Sequence, residues 1–165
     1  MPPSIDVVIP THGGWPVTAS CLRHLREQTR PHRTIVVDDR SPDDTVARIR
    51  AEHPEVDLIA LEENVGFARA CNTGIRAGTG DVVVLLNNDV DAAPTMLERL
   101  VEPFGHDALL GSAAPMLLKP DGRIDAVGIC ADVTLAGYLR HEGAEPSGAD
   151  RSHPRILGPY GAGAA

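Results

Sequence analysis

Short apolar runs alternate with helix-like stretches through the first half of this chain. Residues 5–9 form a strand-like run ended by Pro10, the loop Thr11-His12-Gly13-Gly14 follows, and residues 16–28 carry apolar positions at helical spacing. Residues 34–37 repeat the strand signal and stop at Asp38-Asp39. Ser41 then predicts a helix cap, with Pro42, Asp43 and Asp44 in the first turn. Residues 56–61 predict a third, weaker strand and residues 66–77 a helix, and Gly78-Thr79-Gly80 turns into a fourth strand at 82–86. Regular alternation of this kind predicts parallel strands joined by helical crossovers, an α/β fold.

Beyond Asp91 the rhythm weakens. Residues 94–104 predict a helix, 109–118 an extended segment, and Pro120-Asp121-Gly122 a turn into a strand over 124–129. The stretch 137–155 is rich in Gly, Glu, Asp and His without apolar periodicity and predicts a mobile loop. Residues 156–165 begin like another structured segment and stop, so the expectation is one domain over 1–165 with a truncated end.

Composition narrows what these elements build. A length of 165 residues suits a single core, and 42% hydrophobic with only 3% aromatic content makes that core Val, Leu, Ile and Ala, as in buried parallel strands. A formal charge of −8, from 15 basic and 23 acidic residues, argues against a nucleic-acid partner, which needs basic side chains on phosphates. Cys21, Cys71 and Cys130 are far apart and odd in number, which favours a reducing, cytoplasmic setting over a disulfide framework. No window reaches the roughly 18 apolar residues of a membrane span, which leaves peripheral association with the inner membrane face compatible.

Candidate chemistry sits where strands end. The run Val82-Val83-Val84-Leu85-Leu86 stops abruptly in Asn87-Asn88-Asp89-Val90-Asp91. Oxygen ligands are what Mg2+ and Mn2+ prefer, and sites on open α/β sheets form beyond the carboxyl ends of strands. Asp89 is therefore the candidate metal ligand, with Asp91 assisting through water. Asp38-Asp39 after the second strand reads equally well as a ligand site or a turn and helix start. The seven histidines show no paired spacing for zinc, and His12 reads equally as a turn residue or a ligand contact. Cys71 reads as helix packing.

Four strings occur in order: Val8-Ile9-Pro10-Thr11, Val36-Val37-Asp38-Asp39-Arg40-Ser41, Glu63-Asn64-Val65-Gly66-Phe67-Ala68-Arg69 with Asn72 and Gly74, and Leu85-Leu86-Asn87-Asn88-Asp89. Together, over about residues 5–118, they resemble family 2 glycosyltransferases. The likeness is to the rhamnosyltransferase-like branch, in which an amide-bearing version replaces a stricter Asp-X-Asp motif. The resemblance implies a GT-A fold, a Rossmann-like and mostly parallel sheet flanked by helices, of which this chain is the part that binds a UDP- or dTDP-linked sugar with Mg2+ or Mn2+. It implies inverting transfer to a glycan, lipid or other acceptor. It places Pro10 and Thr11 in the nucleotide cleft, and Asp38 or Asp39 against the ring N–H of a pyrimidine. Gly66 permits close approach of backbone to ligand, Arg69 is a candidate phosphate or ribose contact, and Asn72 follows on the same helix face. Asn87 and Asn88 are candidates for sugar or phosphate contact. The catalytic base is expected beyond Ala165; Asp132, Glu142 and Asp150 carry no supporting motif.

Three other readings compete. A non-catalytic nucleotide-sugar binding module differs from the enzyme only in the sequence expected to follow Ala165. A Mg2+-dependent receiver domain fails on order, because its acidic pair follows the first strand and its phosphorylated aspartate the third. A dinucleotide-binding domain fails because the first turn lacks G-x-G-x-x-G.

Overall fold

The computed structural model describes residues 2–131, 136–149 and 163–164. Chain order is β1 (Ile5–Thr11), α1 (Trp15–Arg26), β2 (Arg33–Asp38), α2 (Thr45–Glu52), β3 (Asp57–Ala60), α3 (Phe67–Ala77), β4 (Val82–Leu86) and α4 (Met96–Val101). A 3-10 turn over Glu102–Gly105 extends α4, and the short strands β5 (Leu117–Leu118), β6 (Ile124–Ala126), β7 (Ile129–Ala131), β8 (Gly137–Leu139) and β9 (Gly163–Ala164) follow.

The main sheet runs β3-β2-β1-β4-β9, parallel throughout except for β9. Period-2 alternation sends Ile5, Val7 and Ile9 to one face, where Leu22 and Leu25 of α1, Ile49 of α2 and Leu97 of α4 cover them. Val8, Ile35 and Val37 pack on the other face, beneath Ala70 of α3. Helix α3 lies close to the sheet because Gly74 has no Cβ: one there would overlap the Val8 side chain and come within 3.0 Å of Val37. The chain winds outward through β1, β2 and β3 and then returns to place β4 on the opposite side of β1. The sheet therefore reverses direction between β1 and β4, the position where open α/β sheets hold ligands.

Pro10 does not end the first strand; β1 continues through it, with Pro10 opposite Val37 and Thr11 opposite Asp38. The Thr11 carbonyl accepts from the Asp39 N–H on the β2 side, so the neighbouring Pro10 faces β4, where pairing has already ended at Val8 and Leu85. Its missing N–H costs no ladder bond. Ser41 does not cap a helix either. Helix α2 starts four residues later, and Asp43 Oδ1 takes the Thr45 N–H at 3.1 Å and the Thr45 hydroxyl at 2.6 Å.

In the second half, extended structure over 109–118 is confined to β5, and the strand expected over 124–129 is split into β6 and β7 at Gly128, whose φ is 77°. Residues 137–149 contain regular structure where the composition predicts a loop: β8 pairs antiparallel with β7, and a 3-10 turn spans Pro146–Gly148. Residues 150–155 of that predicted loop lie outside the described residues, as does most of 156–165.

Candidate active site at the strand ends

Three strand ends meet at the reversal point. From β2, Asp38 and Asp39 are buried, at 1% and 5% exposure. Both carboxyl oxygens of Asp38 bind Ser41, one through its backbone N–H and one through its hydroxyl, and the same hydroxyl accepts the Gly13 N–H at 2.6 Å. Asp38 thus ties the turn after β2 to the turn after β1. Asp39 faces the other way, with Oδ1 accepting the Val65 N–H at 2.7 Å and Oδ2 the Gly66 N–H at 2.9 Å. Each oxygen keeps a lone pair beyond those bonds.

Asp39 borders a cavity of about 210 Å³ lined also by Pro10, Thr11, His12, Asn64 and Gly66, with Phe67 and Ala70 closing the α3 side. Four residues predicted for the nucleotide cleft, Pro10, Thr11, Asp39 and Gly66, therefore share one cavity, and Asp38 is outside its lining. Gly66 holds φ at 83°, which L side chains rarely adopt, and so opens the first turn of α3 toward the cavity. Arg69 and Asn72 are exposed on α3 and outside the lining. The helix turns Gly66, Ala70 and Gly74 inward at i+4 spacing, so an i+3 series starting at Gly66 rotates away from the sheet. A larger open groove of about 490 Å³ lies at the opposite ends of the strands, against Pro2, Arg30 and Arg33, and holds none of the strand-end acids.

At the end of β4, the Asn88 side-chain N–H donates to Thr11 Oγ1 at 3.1 Å and Thr18 Oγ1 at 3.0 Å, and those hydroxyls lie 3.2 Å apart. Asn88 thereby locks β4 to β1 and α1. Asn87 is half-buried, and its carbonyl accepts from the Cys21 thiol at 3.6 Å. Asp91 Oδ1 accepts from the Ser20 hydroxyl at 2.9 Å and lies 3.2 Å from His24 Nδ1. Burial, followed by the charges of Asp91 and Asp89, pushes the Cys21 thiol up to about 12, so it stays protonated and unreactive.

Asp89 is exposed and has no hydrogen-bond or ion-pair partner among the described residues. No group of three or more His, Cys, Asp or Glu side chains assembles among the described residues. The exposed carboxylates of Asp89 and Asp91 are oxygen donors of the kind that Mg2+ and Mn2+ take together with water and ligand oxygens. Glu142 pairs with Lys119 at 3.3 Å, while Asp132 and Asp150 lie outside the described residues. No described helix is long and apolar enough to cross a membrane.

The residues that composition and spacing leave unread are Thr18, Asn64 and Phe67. Thr18 joins the site through its contacts with Thr11 and, 70 positions away in the chain, Asn88. Phe67 carried a signal, being one of only two phenylalanines and 56% exposed at the cavity.

The chain is 35% identical over 122 residues to an N-acetylglucosaminyltransferase of Rhizobium sp. (strain N33), covering 70% of this chain and 27% of that protein. It is 32% identical over 123 residues to an N-acetylglucosaminyltransferase of Bradyrhizobium elkanii, covering 70% of this chain and 67% of that one. The chain thus spans about a quarter of the length of the first of these relatives. Among solved structures, the mannosyltransferase PcManGT from Pyrobaculum calidifontis, in complex with GDP-Man and Mn2+, superposes with a TM-score of 0.64 at 25% identity, covering 85% of this chain and 45% of that one. S. aureus TarS, in complex with UDP-GlcNAc, shares the fold with a TM-score of 0.63 at 20% identity over 71% of this chain and 35% of its own. These neighbours make the fold GT-A. The family model for glycosyl transferase family 2 matches residues 6–116, and the chain belongs to that family.

Proposed function

We propose that this chain forms the donor-binding part of an inverting glycosyltransferase that uses a UDP- or dTDP-linked sugar with Mg2+ or Mn2+. One observation carries the reading: the cavity beside Asp39 and the exposed Asp89 carboxylate share the carboxyl edge of the sheet on either side of its reversal point. That arrangement suits a ligand with an uncharged ring at one end and a diphosphate at the other. The ring enters the cavity, where a free lone pair of Asp39 accepts the imide N–H of uracil or thymine. Adenine has no such ring N–H and fits this acceptor less well.

Asp89 would hold the cation, with Asp91 assisting through water and Asn87 offering an amide to sugar or phosphate oxygen. When bound, the cation neutralises charge on the departing diphosphate. Arg69 and Asn72, exposed on α3, would meet a ligand that extends out of the cavity, and Asn88 would act through the threonines it fixes. The acceptor hydroxyl attacks the anomeric carbon opposite the diphosphate, a single displacement that inverts the centre, and no residue of this chain is assigned as the base. The N-acetylglucosaminyltransferase names of the relatives support an N-acetylhexosamine in place of the rhamnosyl group suggested by the sequence strings.

Titration calorimetry with UDP-GlcNAc, with and without Mn2+, tests the reading. Binding is expected to require the cation, and Asp89→Ala is expected to weaken it about tenfold or more, roughly 1.4 kcal/mol. Metal-independent binding that Asp89→Ala leaves untouched would refute the assignment.

A further inference from the structure

We propose that His12 recognises a ribose hydroxyl of the donor through Nε2, an inference that rests on the nucleotide reading above. His12 is exposed in the turn after β1 and lines the cavity with Asp39. Its Nδ1 lies 2.7 Å from the Asp39 carbonyl oxygen. A carbonyl can only accept, so Nδ1 carries a proton, and in the neutral tautomer this selects, Nε2 is the bare acceptor.

Among the described residues that acceptor has one weak partner. Asn64 Nδ2 lies 3.5 Å from Nε2, at the limit of a hydrogen bond, and its 3.3 Å approach to the protonated Nδ1 places two donors together and forms no bond. The amide is held in this orientation because Asn64 Oδ1 accepts the Gly66 N–H at 3.2 Å. The Asp39 carboxylate in turn binds the Val65 and Gly66 N–H groups. Three loops thus close a ring of hydrogen bonds around the cavity, and its longest link is the one at Nε2.

The donor inventory of the ligand identifies what replaces that link. A glycosylated uracil has one N–H, which the Asp39 carboxylate takes. The remaining donors of the nucleoside are the ribose 2′- and 3′-hydroxyls, and either can supply the hydrogen that Nε2 lacks. His12 thereby selects a ribonucleoside over sugars that lack these hydroxyls.

The test compares UDP with 2′,3′-dideoxy-UDP by calorimetry on the wild-type chain and on His12→Phe, which keeps a ring and removes the acceptor. Wild type is expected to prefer UDP about tenfold, and His12→Phe to bind both ligands equally, at the wild-type affinity for the dideoxy compound. Long-range proton–nitrogen NMR of wild-type His12 gives a readout that needs no variant: the Nδ1–H form is expected, with the Nε2 resonance moving on addition of UDP and not of the dideoxy analogue. An Nε2–H form, a wild type that does not discriminate, or a UDP preference that survives in folded His12→Phe overturns the proposal. Failure of wild type to bind either nucleotide refutes the nucleotide reading instead.

Discussion

Asp39→Asn separates two tasks that the wild-type carboxylate performs at once. The carboxylate fastens the entry of α3 by accepting the Val65 and Gly66 N–H groups at 2.7 and 2.9 Å, and it faces the cavity. An amide keeps one acceptor oxygen and turns an NH2 group toward the other backbone N–H. One charge-assisted bond is lost and the other becomes neutral, which together cost about 3 to 4 kcal/mol. Relief of the buried charge offsets part of this, because Asp39 is 5% exposed, and a net loss of about 1 to 3 kcal/mol is expected. A domain of ordinary stability, roughly 5 to 15 kcal/mol, still folds. Urea unfolding should record that loss, and hydrogen exchange should show Val65 and Gly66 losing protection before the sheet amides do. Ligand recognition is read separately. If a lone pair of Asp39 accepts the pyrimidine imide, the preference for UDP over ADP should fall by roughly 1.5 to 3 kcal/mol, about 10- to 150-fold. An unchanged preference would refute the base contact and leave Asp39 as a loop fastener. Unchanged stability, with Val65 and Gly66 still protected, would refute the fastener.

Two further outcomes follow from packing and titration. Gly74→Ala should destabilise the fold by about 1 to 3 kcal/mol, because the new methyl collides with Val8 between α3 and β1, and chemical unfolding measures it directly. His53 is buried against Trp15, and its Nδ1 sits 3.5 Å from Glu55 without forming a hydrogen bond. Burial, then the Arg26 charge, holds its pKa below the ordinary 6.5. The unfolded chain therefore takes up the proton first, so the stabilisation is complete above pH 6.5 and is lost as pH falls toward the lower folded value. Glu55 stays ionised through this window, its carboxyl held down at about 2 chiefly by its hydrogen bond from Arg26. Unfolding of His53→Leu should accordingly vary less than wild type from about pH 7.5 to about pH 5; parallel curves would refute the argument.

The first four strand–helix repeats were legible because a parallel strand covered on both faces must be a continuous apolar run, and each such run here ends in a polar cluster. Their order alone places Thr11, Asp39 and Asp89 at one edge. What stayed hidden had no local signature. The harm expected from Pro10 depends on which neighbour its missing N–H faces, a property of sheet order. The Asn88–Thr11–Thr18 link joins positions 70 and 77 apart. Strands of two or three residues, such as β5 and β8, are too short to show a period, and Ser41 had an obvious helix-capping role until Asp38 claimed it. On α3, spacing alone favoured Gly66, Arg69 and Asn72, whereas Gly74 pressed against Val8 fixes the inward face one step around the helix.

Burial divides the acids of this edge into two kinds. Asp38 and Asp39 end a strand flanked on both sides, so they are nearly inaccessible, and their oxygens accept the N–H and hydroxyl of Ser41 and the N–H groups of Val65 and Gly66. Asp89 lies three residues beyond the end of β4, where the chain leaves the sheet, and remains exposed. An enclosed acid with its loops fastened can offer one directed lone pair at little entropic cost, which suits discrimination among flat rings. An exposed acid can share a cation with mobile phosphate oxygens, which suits a ligand group that must leave. On the proposed reading, base selection and diphosphate handling would fall to opposite sides of the β1–β4 junction. A substitution on the buried side should change which nucleotide binds, whereas one on the exposed side should change how binding depends on metal.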